Sequence, residues 1–189
     1  MKTDAEIDEL LSTARQQMKS GAFASALATL HPLLTGSPSA DNPGQKDALY
    51  MAAVCARYQN DAPAARDYLD QLKQLAPDYG RAFQEEGHLA LSLNKTDAAL
   101  RAFELATRYN PSLLASWSAQ FRLHQAANRT AEAAQAQAQI TRLQTMPREL
   151  LAVTNHLFEG RILRAEAIAR AFLLKNPRNI EGMRLLADI

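Results

Sequence analysis

The chain is predicted to be all-α, a succession of antiparallel helix pairs stacked one on the next. Three observations predict it. Alanine recurs in one phase, at Ala26, Ala65, Ala99, Ala133 and Ala165. Proline answers it at a constant distance: Pro38, Pro77, Pro111 and Pro177 each stand twelve residues after Ala26, Ala65, Ala99 and Ala165. The composition agrees, with 47% hydrophobic and 22% charged residues but only 6% aromatics, seven Gly and eight Pro. A core assembled mainly from Ala and Leu suits helices whose backbones approach closely.

The elements follow in order. A helix near 4–19 has Asp4 and Glu6 in its first turn, where carboxylates complement the macrodipole. After Gly21 a helix near 23–35 carries Ala26, Leu30 and Leu33. The third, near 45–58, holds Leu49, Ala53 and the apolar run Met51–Ala56; the fourth, near 61–75, holds Ala65 and Leu69 and closes before Pro77. Phe83 and Gly87 mark a fifth near 79–92, and Asn94 precedes a sixth near 95–109 with Ala99, Phe103 and Ala106. Trp117 lies in a seventh near 112–126. An eighth near 130–144 carries Ala133, with Gln137 where the sixth has Phe103. Met146-Pro147 opens a ninth near 148–158, and Gly160 a tenth near 162–175 with Ala165, Ala169 and Phe172. A last helix begins near 179. Pro38, Pro77, Pro111 and Pro177 each close a second helix, because proline cannot donate to the ladder and fixes its own φ.

The step from Pro77 to Pro111 is 34 residues, and the chain resembles the tetratricopeptide repeat (TPR) family, whose period is about 34. The unit from Gly80 to Leu113 matches the pattern best, with Phe83, Gly87, Ala99, Phe103, Ala106 and Pro111 at its key places. The resemblance implies a single domain over 1–189, a right-handed superhelix of about five repeats near 7–40, 46–79, 80–113, 114–145 and 146–179, with a partial sixth at 180–189. The stretch Ser37–Gly44 lengthens the first inter-repeat turn and reads as a hinge. The fourth repeat is about two residues short, which implies a change of pitch.

Net charge is +1, from 21 basic and 20 acidic residues. That is no footprint for duplex nucleic acid or an anionic membrane. RNA binding by a related helical repeat would call for a strongly basic face. The lone Cys55 excludes an internal disulfide and a cysteine zinc site and reads as a buried thiol. The polar, acidic N-terminus lacks a signal-peptide core, so the expected address is cytoplasmic. No two of His31, His88, His124 and His156 stand at i, i+4, and there is no phosphate loop or nucleophile elbow. His124 and His156 read as packed inside their helix pairs. Glu85 and Glu86 read as a solvated face. No enzyme, cofactor or metal is expected within these residues.

In the TPR family the first helix of each pair lines the concave face, so the resemblance implies a peptide-binding groove. Its expected contact residues are Arg15 and Lys19 from the first unit, Tyr50, Arg57 and Tyr58 from the second, Arg81, Gln84 and His88 from the third, and Arg122 and Gln125 from the fourth. Five of these are cations, against Asp47 as the single inward acid. The groove is therefore expected to hold an extended or helical acidic segment, with guanidinium forks on carboxylates. The family's chaperone-binding subset clamps a C-terminal carboxylate with Lys and Asn. Arg15 and Val54 occupy its Asn positions here, so that clamp is not expected.

The stretch His156–Ile189 is similar to the repeat region of bacterial proteins that join TPR units to a C-terminal sulfotransferase domain. That resemblance implies a fragment that recruits a substrate or partner for an enzyme encoded downstream. Ending on Leu-Leu-Ala-Asp-Ile189, inside what should be a sixth unit, fits a chain that continues. The unfinished helix is expected to expose Met183, Leu185 and Leu186, a surface through which a homodimer could form.

Overall fold

A computed structural model describes residues 3–36, 42 and 44–189. The described residues form eleven helices and no strand. They divide into two compact units, residues 1–78 with 85–95 and residues 79–84 with 96–189. The stretch 37–41 and Pro43, and with them most of the expected hinge, lie outside the described residues.

The first unit contains α1 (Asp4–Lys19), α2 (Phe23–Leu34), α3 (Gln45–Tyr58) and α4 (Ala62–Leu75), and takes the C-terminal part of α5 (Gly80–Ser92). Helix α1 starts on a capping box: Thr3 Oγ1 accepts from the Glu6 amide, and the Glu6 carboxylate accepts from the Thr3 amide at 2.7 Å. Two donors that the helix cannot use are thereby satisfied. Consecutive helices of α1 to α4 pack on one another, and α1 also meets α3. Between them lies an apolar core containing Ile7, Leu11, Ala26, Leu30, Ala52 and Cys55.

The second unit takes the start of α5 and adds α6 (Thr96–Tyr109), α7 (Leu114–Ala126), α8 (Thr130–Thr145), α9 (Arg148–Phe158), α10 (Ile162–Lys175) and α11 (Ile180–Ala187). Here α6 packs on α7, α7 on α8, and α9, α10 and α11 on one another. Gly80 is required at the start of α5, where a Cβ would fall 2.9 Å from the Ala106 carbonyl oxygen and 3.0 Å from Asn110 Cβ. The alanines that set the phase are buried throughout: Ala26, Ala65, Ala99 and Ala165 at 0% and Ala133 at 6% exposure.

The turn inside every helix pair is built the same way. Gly21, Asn60, Asn94, Asn128 and Gly160 all have positive φ, between 55° and 79°. Each stands five residues before a phase-setting alanine. Left-handed backbone costs most residues about 1–2 kcal/mol, and Gly and Asn tolerate it best. The following amide then bonds five residues back, as in Ala22 to Gln17 at 2.8 Å and Asp61 to Ala56, Lys95 to Ala90 and Arg129 to His124 at 2.9 Å. This Schellman geometry caps the carbonyls that the helix end leaves open.

One expectation about the C-terminal helix fails. Leu185 is 3% exposed and packs with Leu150, Val153 and Phe172, and Leu186 packs beside it; only Met183, at 45%, lies open. Helix α11 therefore turns its leucines onto α9 and α10. No helix among the described residues is long and apolar enough to cross a membrane.

Candidate peptide-binding face

In the first unit two of the three expected cations, Arg15 and Arg57, meet carboxylates of the same chain. Arg15 Nη2 lies 3.4 Å from Asp47 Oδ2, an open contact with the arginine side chain 46% exposed. Arg57 Nε donates to Glu85 Oε2 at 2.9 Å, and the Glu85 side chain is only 7% exposed. Glu85 is therefore no part of a solvated face: it lies buried against Arg57, while its neighbour Glu86 pairs with Lys73 at 3.2 Å. Burial works against the Arg57 charge, yet Glu85 and then Tyr58 together more than offset it and the guanidinium pKa is raised. The same guanidinium lies 4.4 Å from the centre of the Tyr58 ring, which stacks on Phe23 at 4.5 Å. Tyr58 thus spans from the end of α3 to the start of α2. Tyr50 packs on the apolar core, His88 is half-buried, and Lys19 is exposed with no ion pair among the described residues.

In the second unit Arg81 donates through Nε to Glu159, and Arg161 Nη1 lies 3.0 Å from the other carboxylate oxygen. The Glu159 side chain is 2% exposed, so one buried carboxylate joins the start of α5 to the end of α9. Gln84 is not an open contact residue either. It is 8% exposed and its Oε1 accepts from Ser116 Oγ at 3.1 Å. Arg122 and Gln125 are exposed.

Gln84 and Ser116 lie among other buried polar groups of this unit. Gln120 Nε2 donates to the Phe103 carbonyl at 2.9 Å and to Thr107 Oγ1 at 2.8 Å. Asn110 donates to Asn155 Oδ1 at 3.1 Å while its own Oδ1 accepts from the Ser112 amide. His124 is buried, as its place inside the pair implied. His156 is half-buried, with its Nδ1 buried and unbonded among the described residues. Burial lowers the His156 pKa; Glu159 opposes this, and Arg161, Arg164 and Arg81 add to it. Cys55 is fully buried in the first unit, and burial pushes its thiol up to about 11.

Of the ten expected contact residues, Lys19, Arg122 and Gln125 present open polar side chains, Arg15 is loosely held, and Arg57, Arg81 and Gln84 are engaged within the fold. The signal that sequence reading passed over is Glu159. It follows α9 directly and precedes Gly160, a place more usually solvent-facing at a helix end.

No protein-family model and no curated protein matches the chain. Solved structures do. A thermophilic TPR protein of Thermus thermophilus superposes with a TM-score of 0.60 at 18% identity, over 96% of this chain and 97% of that one. A tetratricopeptide repeat protein from Parabacteroides merdae gives 0.60 at 17% identity, over 97% and 72%. The crystal structure of MamA gives 0.60 at 18% identity, over 73% and 78%. With the 34-residue step, the buried alanine phase and the five left-handed turns, these likenesses establish the fold of this chain as that of the tetratricopeptide repeat proteins.

Proposed function

We propose that this chain is a protein-interaction scaffold which holds a peptide segment, extended or helical, against the first helices of its repeats. The observation that carries the reading is the TPR fold together with open polar side chains at positions where the family resemblance expects contacts, Lys19 on α1 of the first unit and, separately, Arg122 and Gln125 on α7 of the second. The preference for an acidic segment rests on Lys19, Arg122 and the loosely held Arg15. Arg57 and Arg81 already satisfy Glu85 and Glu159 and would give up a buried ion pair to grip a ligand. Exposed cations of this kind steer an acidic partner more than they add affinity, so binding should weaken with salt. A cytoplasmic setting belongs to this reading. The recruiting-arm alternative, with a sulfotransferase downstream, is supported by the stretch 156–189 alone.

The test is a panel of acidic, neutral and basic peptides titrated against the wild-type chain and against Lys19→Glu and Arg122→Glu separately. Circular dichroism would confirm that each variant folds. Acidic peptides should be preferred, and each reversal should weaken them about three- to tenfold, the scale of a screened surface pair. Equal binding of all three classes would sink the acidic preference. Full binding by both variants would sink the face.

A further inference from the structure

The second helix of each repeat turns one stripe of residues away from its pair. In register with the phase-setting alanine, that stripe is Ala24, Ala28, Pro32 and Thr35 in the first repeat and Pro63, Asp67, Gln71 and Gln74 in the second. In the third it is Asp97, Arg101, Leu105 and Arg108, and in the fourth Ala131, Gln135, Gln139 and Arg142. The first stripe is built from small residues and the next three are mostly polar, with Leu105 half-buried, so none of the four leaves a large apolar side chain exposed. The fifth breaks the pattern. On α10 the same positions hold Leu163, Ala167, Ala171 and Leu174. All four are exposed, Leu163 by 82% and Leu174 by 86%. A helix that carries large apolar groups on its outer stripe as well as its core stripe reads as buried on both sides.

The surface is shaped as well as apolar. Ala167 and Ala171 border a groove of about 390 Å³ that Ile168 and Phe172 also line, with Arg164 and Lys175 at its ends. Those cations stand eleven residues apart on one helix, about 16 Å along the axis. Neither has an ion pair among the described residues, although Glu149 of α9 also borders the groove. Small residues at the centre let another backbone approach, and leucines at both ends supply anchors of the kind that dominate helix-in-groove contacts.

We propose that the outer face of α10 is a docking site for an amphipathic helix of a partner protein, one with an apolar stripe flanked by carboxylates that meet Arg164 and Lys175. Charge selects this occupant over a second copy of the chain. In an antiparallel two-fold pair of α10 helices like flanks face each other, which would set Arg164 of one copy beside Lys175 of its mate. On the opposite flank Glu166 and Arg170 already satisfy one another at 2.7 Å. The site lies on the second helix of its repeat, so it is separate from the peptide face proposed above and can be tested without it.

The probe is a synthetic amphipathic helix of about 18 residues, five turns, with leucines at the stripe ends, alanines at its centre and two glutamates matched to the cation spacing. A control peptide carries lysine for both glutamates. Binding is read by fluorescence anisotropy against wild type, Leu163→Lys with Leu174→Lys, and Arg164→Glu with Lys175→Glu. The replaced side chains are exposed, so the variants should fold, which circular dichroism would verify. The glutamate peptide should bind wild type and lose at least tenfold on either variant, and the lysine peptide should bind only the charge-reversed one. Indifference to all these changes would overturn the proposal. So would a concentration-dependent dimer in light scattering that Leu163→Lys dissolves, since that assigns the face to a second copy. Co-sedimentation with phosphatidylserine vesicles that the same variant abolishes would assign it to a membrane and overturn the proposal equally.

Discussion

The two units share one repeat pattern yet fill their interiors differently. The first is mainly apolar inside, with α3 burying Met51, Ala52, Ala53, Val54, Cys55 and Ala56 in one run and Gln45 and Glu85 the buried polar residues among those described. The second buries Gln84, Thr107, Asn110, Ser112, Ser116, Gln120, His124 and Glu159. Hydrogen bonds join Gln84 to Ser116, Gln120 to Thr107 and Asn110 to Asn155. The lesson is that the repeat specifies where a side chain is buried and leaves open what kind of group is buried there. An apolar interior is held by area and fit and degrades gradually when trimmed. A polar interior is held by matched partners, and losing one leaves another buried without its bond.

The largest expected effects test fit in both units. Phe103→Ala should cost about 3–5 kcal/mol and Leu30→Ala about 2–5 kcal/mol, read from denaturant midpoints, because both side chains are fully buried. Next is Glu159→Ala, which removes the buried carboxylate that Arg81 and Arg161 share. With those arginine side chains about a third exposed, the loss should be about 3 kcal/mol, the lower end for a broken buried pair. Hydrogen exchange should quicken at the start of α5 and end of α9 and stay unchanged in α1 to α3. A loss too small to measure would mean that the buried ion pair does not hold the second unit.

A mirrored pair of substitutions sharpens the contrast. Gln120→Leu puts an apolar group into the polar interior and Cys55→Ser a polar one into the apolar interior, and each should cost about 1–3 kcal/mol. If one were neutral, the two interiors would not differ in kind. A smaller effect concerns pH. His156 has its folded pKa below the ordinary 6.5, so protonation favours the unfolded chain. Its contribution is intact above that value and is lost as pH falls below it toward the folded pKa. His156→Gln should flatten the acid limb of a melting-temperature profile, and an unchanged limb would remove His156 as the cause. The smallest effect is Arg15→Ala, below about 1 kcal/mol because its pair with Asp47 is exposed and long.

Helix order and most boundaries were legible because punctuation is local. Gly and Asn at left-handed positions and Pro after the last turn act on their own neighbours. The capping box at Thr3 and Glu6 came from the structure; in the sequence Glu6 invited only a dipole reading. The site was legible in part. Lys19, Arg122 and Gln125 are open because surface position follows from helical phase. The partners of Arg57, Arg81 and Gln84 could not be read from sequence, because Glu85, Glu159 and Ser116 stand 28, 78 and 32 residues away. Helical phase brings a side chain to a face but does not say what the neighbouring helix sets against it. Leu185 was misread for the same reason: its cover comes from α9 and α10.

What the sequence alone determined is the all-α repeat, its phase and its turns, since these depend on intervals shorter than one repeat and on intrinsic backbone preferences. Tertiary structure decided which charges remain available. Arg57 and Arg81, expected as contact residues, hold the buried carboxylates of Glu85 and Glu159, pairs that are costly to break. It also decided which apolar stripe stays open, leaving Leu163 and Leu174 of α10 in solvent while covering Leu185 of α11.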